Sequence, residues 1–201
     1  MLKVPNIVKR YYSELIWKID TNEPELYLTF DDGPTPGITE WVLDLLSAHN
    51  AKATFFCIGK NVVKHPEIYQ RIIDEGHSVG NHTYEHKKGW ITGNFGYLRS
   101  VARCGKYVKS DLFRPPYGRI KKSQIKSLKE KFRIIMWDVL SEDYKDTISA
   151  ETCLNKVLSQ SQNGSIIVFH DSHKATRRVK EVLPLILDHF EQKGVRFINI
   201  T

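Results

Sequence analysis

Short apolar runs recur along the whole chain, and glycine, proline or polar residues separate each run from the next segment. The run Leu26-Tyr27-Leu28-Thr29-Phe30 is an example: it is typical of a strand, and Gly33-Pro34 soon ends it. Runs of this length, rich in β-branched and aromatic residues, are typical of strands. The pattern predicts strands at residues 25–30, 53–58, 78–82, 112–114, 134–139, 165–170 and 195–200.

The segments between these runs carry apolar residues at helical spacing. Short strands that alternate with helices imply βαβ units and a parallel sheet. Seven strands are too many for a small sandwich, and they suit an α/β barrel that falls short of the regular eight. The helices are expected at 39–49, 66–75, 95–109, 123–131, 150–160 and 179–192.

With 201 residues and 41% hydrophobic content, the chain predicts one domain with a sizeable core. No internal repeat or Ser/Gly-rich linker divides it, and we place the domain at residues 25–201. Residues 1–24 precede it, and they begin with charged residues mixed among apolar ones. This start predicts an amphipathic helix that packs on the domain through Ile7, Tyr11, Leu15 and Trp17.

The same start lacks the apolar stretch of a secretory signal, and no run approaches the length of a transmembrane segment. We therefore expect a cytoplasmic protein, or an exported or cell-envelope one if the sequence is a trimmed form. The three cysteines lack the spacing of metal ligands and do not suggest a disulfide framework. Cys57 lies in an apolar run and is expected to be a buried thiol.

The formal net charge is +7, with lysine and arginine spread along the chain. We interpret this as a basic, soluble surface, with attraction to an acidic polymer or an envelope surface as the alternative. No nucleic-acid recognition motif is present, so a nucleic-acid partner is not expected. A monomer is expected.

Two adjacent carboxylates, Asp31 and Asp32, follow the first predicted strand directly. The Gly-Pro turn lets both face the space beyond the strand's carboxyl end, where one pKa should rise unless a cation neutralises one of them. His82 and His86 are spaced to share one face of a helical turn. One carboxylate and two imidazoles make a three-ligand metal set with open coordination positions. The zinc-protease pattern does not fit, because it needs Glu directly after the first His, where Thr83 stands.

Five motifs in this order closely resemble those of the polysaccharide deacetylases, the carbohydrate esterases of family 4 with a NodB-type homology domain. The resemblance runs from about residue 27 to 198 and implies a distorted (β/α)7 barrel of the NodB type. Asp31, His82, Arg114, Asp138 and His170 all fall at predicted carboxyl strand ends, the rim that carries the chemistry of α/β barrels. The motifs are Thr29-Phe30-Asp31-Asp32-Gly33-Pro34, Asn81-His82-Thr83-Tyr84-Glu85-His86, Arg114-Pro115-Pro116-Tyr117-Gly118, Trp137-Asp138 with Asp143-Tyr144, and Ile166-Ile167-Val168-Phe169-His170-Asp171.

The resemblance implies a metal-dependent hydrolase that removes N-acetyl groups from an N-acetylated glycan such as peptidoglycan or a chitin-like polymer. Asp32, His82 and His86 match the family's metal ligands, and this set suits zinc, with cobalt, nickel or manganese as alternatives. Asp31 matches the general base that accepts a proton from water. His170 matches the acid that protonates the leaving amine.

Arg114 matches the residue that orients the base, and we expect it to hold Asp31 bidentately. Asp143 aligns with the fourth-motif Asp that tunes Arg114 or His170. A backbone N–H near Tyr117 is implied as the donor to the oxyanion. The substrate-binding residues carried over are Tyr117, Pro116, Trp137 and Val168.

The fourth and fifth motifs depart from the family pattern. The fourth usually reads Asp-x-x-Asp-Trp, whereas Leu140 replaces its first Asp and Tyr144 its Trp. Val168 replaces the usual Leu two residues before His170. Because these positions help form the slot for the acetyl methyl group, the departures bear on substrate fit and on the group that holds His170. Asp138 is a candidate substitute for the lost Asp.

Two alternatives remain open from the sequence. An enzyme of the same fold could hydrolyse O-acetyl esters, or other C–N bonds as the allantoinase-like branch does. A catalytically silent sugar-binding module is the second alternative, and the intact base, metal set and His170 argue against it.

Overall fold

Eight parallel strands alternate with helices through residues 6–201, the part of the chain that this computed structural model describes. The predicted helical character of residues 1–5 lies outside the described residues. The strands are β1 Glu25–Asp31, β2 Ala53–Cys57, β3 Ser78–Asn81, β4 Leu112–Phe113, β5 Arg133–Ile134, β6 Val139–Leu140, β7 Ile166–His170 and β8 Arg196–Phe197.

The predicted helices are all present, with ends shifted by a few residues. Pro66 occupies the first turn of its helix, and the Ser149 hydroxyl caps another by accepting from the Thr152 N–H at 3.0 Å. The helix Gly59–Lys64 was not predicted, because it has six residues and includes a glycine and an asparagine in its first turn. The helices are α1 Asn6–Tyr11, α2 Ile38–Ala48, α3 Gly59–Lys64, α4 Pro66–Asp74, α5 Asn94–Cys104, α6 Lys122–Leu128, α7 Ala150–Gln160 and α8 Thr176–Glu191, with a 3₁₀ turn at Pro116–Gly118.

The sheet runs in the order β5-β4-β3-β2-β1-β7-β6, and β8 pairs with β1. The curled parallel sheet with helices around it confirms the predicted distorted (β/α)7 barrel. The predicted strand at 134–139 is divided into β5 and β6, which lie at opposite edges of the sheet. The N-terminal segment lies beside these edges, where Ile16 bridges to Ile135 and Lys18 bridges to Ser165.

Alternation along β1 separates the helix-facing core from the barrel interior. Leu26, Leu28 and Phe30 pack in the large cluster that includes α2 and α8 residues. Tyr27 points to the other face, in a cluster with Phe56 and residues of four other segments. Because side chains alternate, Thr29 and Asp31 share the interior face with Tyr27. The last interior position of β1 therefore places a carboxylate at the carboxyl rim of the barrel.

The N-terminal segment packs differently from the predicted helix. The α1 helix ends at Tyr11, and Ile7 is 76% exposed, so the prediction that Ile7 packs on the domain is wrong. Tyr11 is 63% exposed, and its ring contacts the domain through Lys122, whose Nζ lies 4.4 Å from the ring centroid. Leu15 is 5% exposed and packs with Trp17 on the cluster around α5 and α6. Helical spacing does not continue after Tyr11. The turn that follows, and the bridges at Ile16 and Lys18, determine which side chains of this segment are buried.

The cysteines Cys57, Cys104 and Cys153 are free thiols, and all three are buried, as expected for Cys57. Among residues 6–201, no helix combines the length and the apolar character that crossing a bilayer needs.

Truncation of Leu15 tests whether the N-terminal segment is part of the folded domain. Leu15→Ala should lower the free energy of unfolding by about 2–4 kcal/mol, because it leaves a cavity in a packed cluster. Ile7→Ala removes a similar volume from an exposed position and should change it by less than about 0.5 kcal/mol. Urea denaturation measures both, and equal effects of the two substitutions would contradict this packing.

Candidate active site

Four strands of the sheet, β1, β3, β4 and β7, deliver polar side chains to one rim of the barrel. Asp31 ends β1 and pairs in register with His170 at the end of β7. His82 follows β3 directly, and Arg114 follows β4. The four side chains therefore converge where parallel strands end, as predicted for the catalytic face of an α/β barrel.

Asp32, His82 and His86 form a compact cluster of potential metal ligands. The Asp32 Oδ1 atom lies 3.7 Å from His82 Nε2 and 3.1 Å from His86 Nε2. His82 is almost fully buried, whereas the side chains of Asp32 and His86 are about one quarter exposed. The structure thus brings together the three residues predicted as ligands, with one side open to solvent.

The hydrogen bond of His82 Nδ1 determines the tautomer of the ring, and therefore whether Nε2 faces the cluster with a lone pair or with a proton. His82 Nδ1 lies 2.8 Å from the Arg114 carbonyl oxygen, which can only accept a hydrogen bond, so Nδ1 carries the proton. Burial lowers the pKa of His82 to about 4, so the ring is neutral at pH 7. A neutral ring protonated at Nδ1 directs the lone pair of Nε2 at Asp32. This arrangement matches the second-sphere hydrogen bond that orients metal-ligating histidines.

Asp32 itself indicates that a cation belongs here. Within the described residues, its buried Oδ1 atom has no hydrogen-bond partner. Burial opposes its ionisation, but His86, His170 and His82 together hold the pKa of Asp32 well below its ordinary range. An ionised oxygen that faces a nitrogen lone pair needs a positive charge between them. A divalent cation bound by one carboxylate and two imidazoles fits this donor set.

Backbone strain is concentrated around the same cluster. Asp32, Thr83, His86 and Tyr117 have φ values of 85°, 61°, 55° and 61°, a region that residues other than glycine seldom adopt. Such conformations persist only where the surrounding structure enforces them, and they are common at functional sites. Here they turn Asp32 and His86 towards the cluster instead of continuing the strand or a helical turn.

Arg114 is fully buried and holds Asp31. Its Nη1 donates to Asp31 Oδ1 at 2.7 Å and to the Thr29 hydroxyl at 2.6 Å, and its other nitrogens donate to backbone carbonyls. The contact with Asp31 is therefore a single hydrogen bond, and the predicted bidentate grip is wrong, because the carbonyls of Ile135 and Met136 take the other donors. The second oxygen of Asp31, Oδ2, lies 4.0 Å from His82 Nε2 and faces the cluster.

His170 is held by Asp143. One carboxylate oxygen of Asp143 lies 2.7 Å from His170 Nδ1, and the other accepts from the His170 backbone N–H at 2.7 Å. Burial lowers the pKa of His170, but the Asp143 carboxylate and the charges of Asp32 and Asp31 outweigh it and raise this pKa to about 9. The imidazole is therefore protonated at neutral pH.

Asp138 does not substitute for the missing Asp of the fourth motif. Its carboxylate accepts from the Ser165 hydroxyl and from the Ile166 N–H, both at 2.8 Å, at the start of β7. His170 stands at the other end of that strand. The prediction that Asp138 follows a strand is wrong, because the predicted strand is broken and Asp138 precedes β6.

The residues predicted to bind substrate lie at different depths in the structure. Tyr117 is 56% exposed, and its ring centroid lies 4.5 Å from that of His86. Val168 is 1% exposed and lies below the rim, on the same face of β7 as His170. Pro116 is buried and Trp137 is partly buried. Their contacts with a substrate stay predictions, as does the role of each catalytic residue.

Asp171 is a buried residue that the sequence motifs left without a role. Its Oδ1 accepts from the Gly33 N–H at 2.9 Å, and its Oδ2 accepts from the Thr39 hydroxyl at 2.6 Å. It thereby fixes the turn that directly follows Asp31 and Asp32. Its place next to His170 in the fifth motif was the available signal, but only the pairing of β1 with β7 brings it to Gly33.

A methyl group at Gly33 tests the importance of this turn. An added Cβ would lie 1.8 Å from Asp171 Oδ2, so Gly33→Ala must displace the carboxylate or the turn. We expect a loss of about 1–3 kcal/mol in unfolding free energy and weaker binding of divalent cations. At Gly93 a Cβ would meet no atom within 4 Å, so Gly93→Ala is the control. Urea denaturation and calorimetric metal titration measure both, and unchanged metal affinity in Gly33→Ala would contradict this role.

Replacement of Asp143 tests the charge on His170. In metal-free protein, NMR titration of the ring should give a pKa near 9 for the native chain, in which Asp143 holds the imidazolium. Asp143→Asn should lower this pKa well below that of the native chain, because the carboxylate that raises it most is removed while burial still opposes the charged ring. Stability gained from the raised pKa is complete below about pH 6.5 and is lost as the pH rises through about 9. Asp146→Asn, which changes an exposed neighbour, should leave the His170 titration unchanged.

Comparison with known proteins agrees with this geometry. The polysaccharide deacetylase family model matches residues 18–131. A peptidoglycan-N-acetylglucosamine deacetylase of Bacillus cereus is 36% identical over 187 residues, which cover 89% of this chain and 68% of that protein. The peptidoglycan-N-acetylmuramic acid deacetylase PdaC of Bacillus subtilis is 33% identical over 91% of this chain, but over only 39% of PdaC. The crystal structure of the Bc1960 peptidoglycan N-acetylglucosamine deacetylase superposes with a TM-score of 0.89 and 33% identity, covering 98% of this chain and 95% of that one. This chain belongs to the polysaccharide deacetylase family.

Proposed function

We propose that this protein removes N-acetyl groups from a glycan and depends on a divalent cation held by Asp32, His82 and His86. The observation that carries the proposal is the buried, unpartnered Asp32 Oδ1, which faces two imidazole nitrogens beside a second carboxylate. The relatives named for deacetylation of peptidoglycan sugars support a peptidoglycan substrate. Such a substrate favours the cell envelope, the alternative location considered from the sequence.

Zinc is the proposed metal, because two imidazoles and one carboxylate are a ligand set that zinc commonly takes in hydrolases. When bound, the cation supplies Lewis acidity, which makes water easier to deprotonate and stabilises negative charge on the carbonyl oxygen. The open side of the cluster, where Asp32 and His86 are partly exposed, is the side from which water and the acetamide would enter.

Asp31 is the proposed general base. Arg114 donates to its Oδ1 and so leaves Oδ2, which faces the metal ligands, able to accept a proton from water. The water oxygen then attacks the carbonyl carbon of the N-acetyl group. Arg114 keeps Asp31 in this orientation from a fully buried position, where its own charge is satisfied by Asp31, Thr29 and two carbonyls.

His170 is the proposed general acid. Asp143 occupies its Nδ1, so the proton on Nε2 is the one available to the substrate nitrogen when the C–N bond breaks and acetate and a free amine form. A pKa raised to about 9 keeps this proton in place at neutral pH. An amine is a poor leaving group unless it is protonated, so a protonated His170 favours amide over ester hydrolysis.

The proposed site also includes the residues that would surround the carbonyl oxygen and the methyl group of the substrate's N-acetyl group. The backbone N–H of Tyr117, in its left-handed conformation, is the proposed donor to the oxyanion. Trp137, Pro116 and Val168 would limit the space for the acetyl methyl group. The Tyr144 ring meets His170 edge-on with centroids 4.8 Å apart, where the family pattern has a tryptophan.

Substitution of the base and of one ligand tests the proposal, because the two should separate metal binding from turnover. Asp31→Asn should retain one bound metal per chain while deacetylation of N-acetylglucosamine oligomers falls by about 10²–10⁴-fold. His82→Ala should lose both. His173→Ala, at an exposed loop position close to His170 in sequence, is the control and should retain both.

Metal content by elemental analysis and acetate release together measure these outcomes. Normal turnover by Asp31→Asn would refute the assigned base, and full metal content in His82→Ala would refute the ligand set. Faster release of acetate from O-acetyl esters than from N-acetyl sugars by the native protein would favour the esterase alternative.

A further inference from the structure

A cavity of about 600 Å³ opens beside the loop that carries the proposed metal ligands. Glu85 and Lys87, which flank His86 in the chain, form one wall, and the α5 helix forms the other. This volume can accept a sugar with its substituents.

The lining is strongly basic, with four cationic side chains and one carboxylate. Glu85 lies 3.1 Å from Lys87 Nζ and 3.8 Å from Arg103 Nη1, so it is shared between two of the cations. No ion pair involves Arg99 or Lys106 within residues 6–201, and both are exposed. A net positive charge therefore remains to attract an anionic ligand.

Helical geometry concentrates these charges on one face of α5 and the turn that follows it. Arg99, Arg103 and Lys106 succeed one another at intervals of four and three residues, the spacing that aligns side chains on a helix. Gly96 and Ser100, both small, lie on the same side and leave room between the helix and the loop. The basic character is thus local to a concavity, unlike the dispersed lysines that account for most of the net charge.

The cavity wall is fixed to the metal-binding loop. The Tyr84 N–H donates to both the backbone carbonyl and the hydroxyl of Ser100, each at 3.1 Å. The Arg103 guanidinium stacks on the Tyr84 ring at 3.7 Å from its centroid. Because Tyr84 lies between His82 and His86 in the chain, a ligand held here has a defined position relative to the reacting sugar.

We propose that this cavity binds carboxylate groups carried by the glycan next to the sugar that is deacetylated. This rests on the proposed function, because it assigns part of the substrate to a second site beside the loop that carries His82 and His86. A guanidinium pair with a nearby ammonium group recognises carboxylates through charge-assisted hydrogen bonds. The protein therefore prefers an acidic glycan, such as one that contains N-acetylmuramic acid, to a neutral chitin-like chain.

Removal of three charges from the cavity tests the inference. The variant Arg99→Gln, Arg103→Gln, Lys106→Gln is compared with Lys126→Gln, Lys131→Gln, Lys193→Gln, which removes the same charge from exposed residues that do not line the cavity. The substrates are a peptidoglycan tetrasaccharide with free carboxylates and the same tetrasaccharide as its methyl esters. Both variants retain every residue placed in the catalytic site.

The metal-loaded native protein should have a higher kcat/KM for the free acid than for the ester. The cavity variant should lose about tenfold on the acid and change little on the ester, and the control variant should behave as the native protein. An equal loss on both substrates, or no loss on either, would overturn the proposal. A third substrate is a tetrasaccharide without carboxylates that carries a phosphate group. If the native protein favours this compound over the methyl ester but does not favour the free acid, the assignment to carboxylates is overturned.

Calorimetric binding of the same two tetrasaccharides to metal-loaded Asp31→Asn separates this inference from the proposed function. If the native protein releases no acetate from either compound, the proposed function fails. Tighter binding of the acid that depends on Arg99, Arg103 and Lys106 would still support the cavity. Equal affinity for acid and ester would refute it.

Discussion

Two consecutive carboxylates share one rim of the barrel, and the rest of the site depends on how their charges are kept apart. Asp31 is paired with a permanent cation, the buried Arg114 guanidinium. Asp32 receives no such partner and faces imidazole nitrogens instead. One carboxylate is thus neutralised within the fold, and the other is left to bind an exogenous cation. This asymmetry accounts for the different roles, base and metal ligand, that are proposed for two chemically equal neighbours.

Arg114 links the two halves of this arrangement. Its side chain holds Asp31, while its backbone carbonyl accepts from His82 Nδ1 and so sets the tautomer that the metal cluster needs. The same side chain donates to the carbonyls of Ile135 and Met136, in the segment where the predicted fifth strand divides. A fully buried guanidinium is costly unless its donors find acceptors, and here the site and the irregular strand together accept four hydrogen bonds from it. The break between β5 and β6 is therefore part of what holds the base in place.

His170, the proposed general acid, is held by a different set of residues from those that hold Asp31. His170 shares a register position with Asp31, but its partner Asp143 comes from a loop beyond β6. Arg178 on α8 donates to the Asp143 backbone carbonyl at 3.3 Å and fixes that loop from behind. The replacement of the first fourth-motif Asp by Leu140 thus leaves the imidazole fully supported. The departures at Leu140 and Tyr144 are therefore expected to bear on substrate fit.

Strand-like runs that alternate with helical patterns predicted the parallel sheet, whereas the resemblance to the polysaccharide deacetylases implied the distorted barrel and the convergence of Asp31, His82, Arg114 and His170. Periodicity alone could not show that residues 134–139 divide, because both halves are apolar and only their separate partners, β4 and β7, reveal it. The same limit explains the errors at Asp138 and at Ile7, where the apolar pattern continues along the chain but the strand or the packed helix does not. Asp171 depends on a contact between residues far apart in the chain, so no local pattern could assign its role.

The claim that Asp32, His82 and His86 together bind a cation is tested most directly by X-ray absorption spectroscopy of the zinc-loaded protein. The account predicts a first coordination sphere of two imidazole nitrogens and oxygen donors, all at about 2.0–2.2 Å, and no sulfur. A spectrum with no imidazole scattering, or with thiolate sulfur at about 2.3 Å, would contradict the central claim.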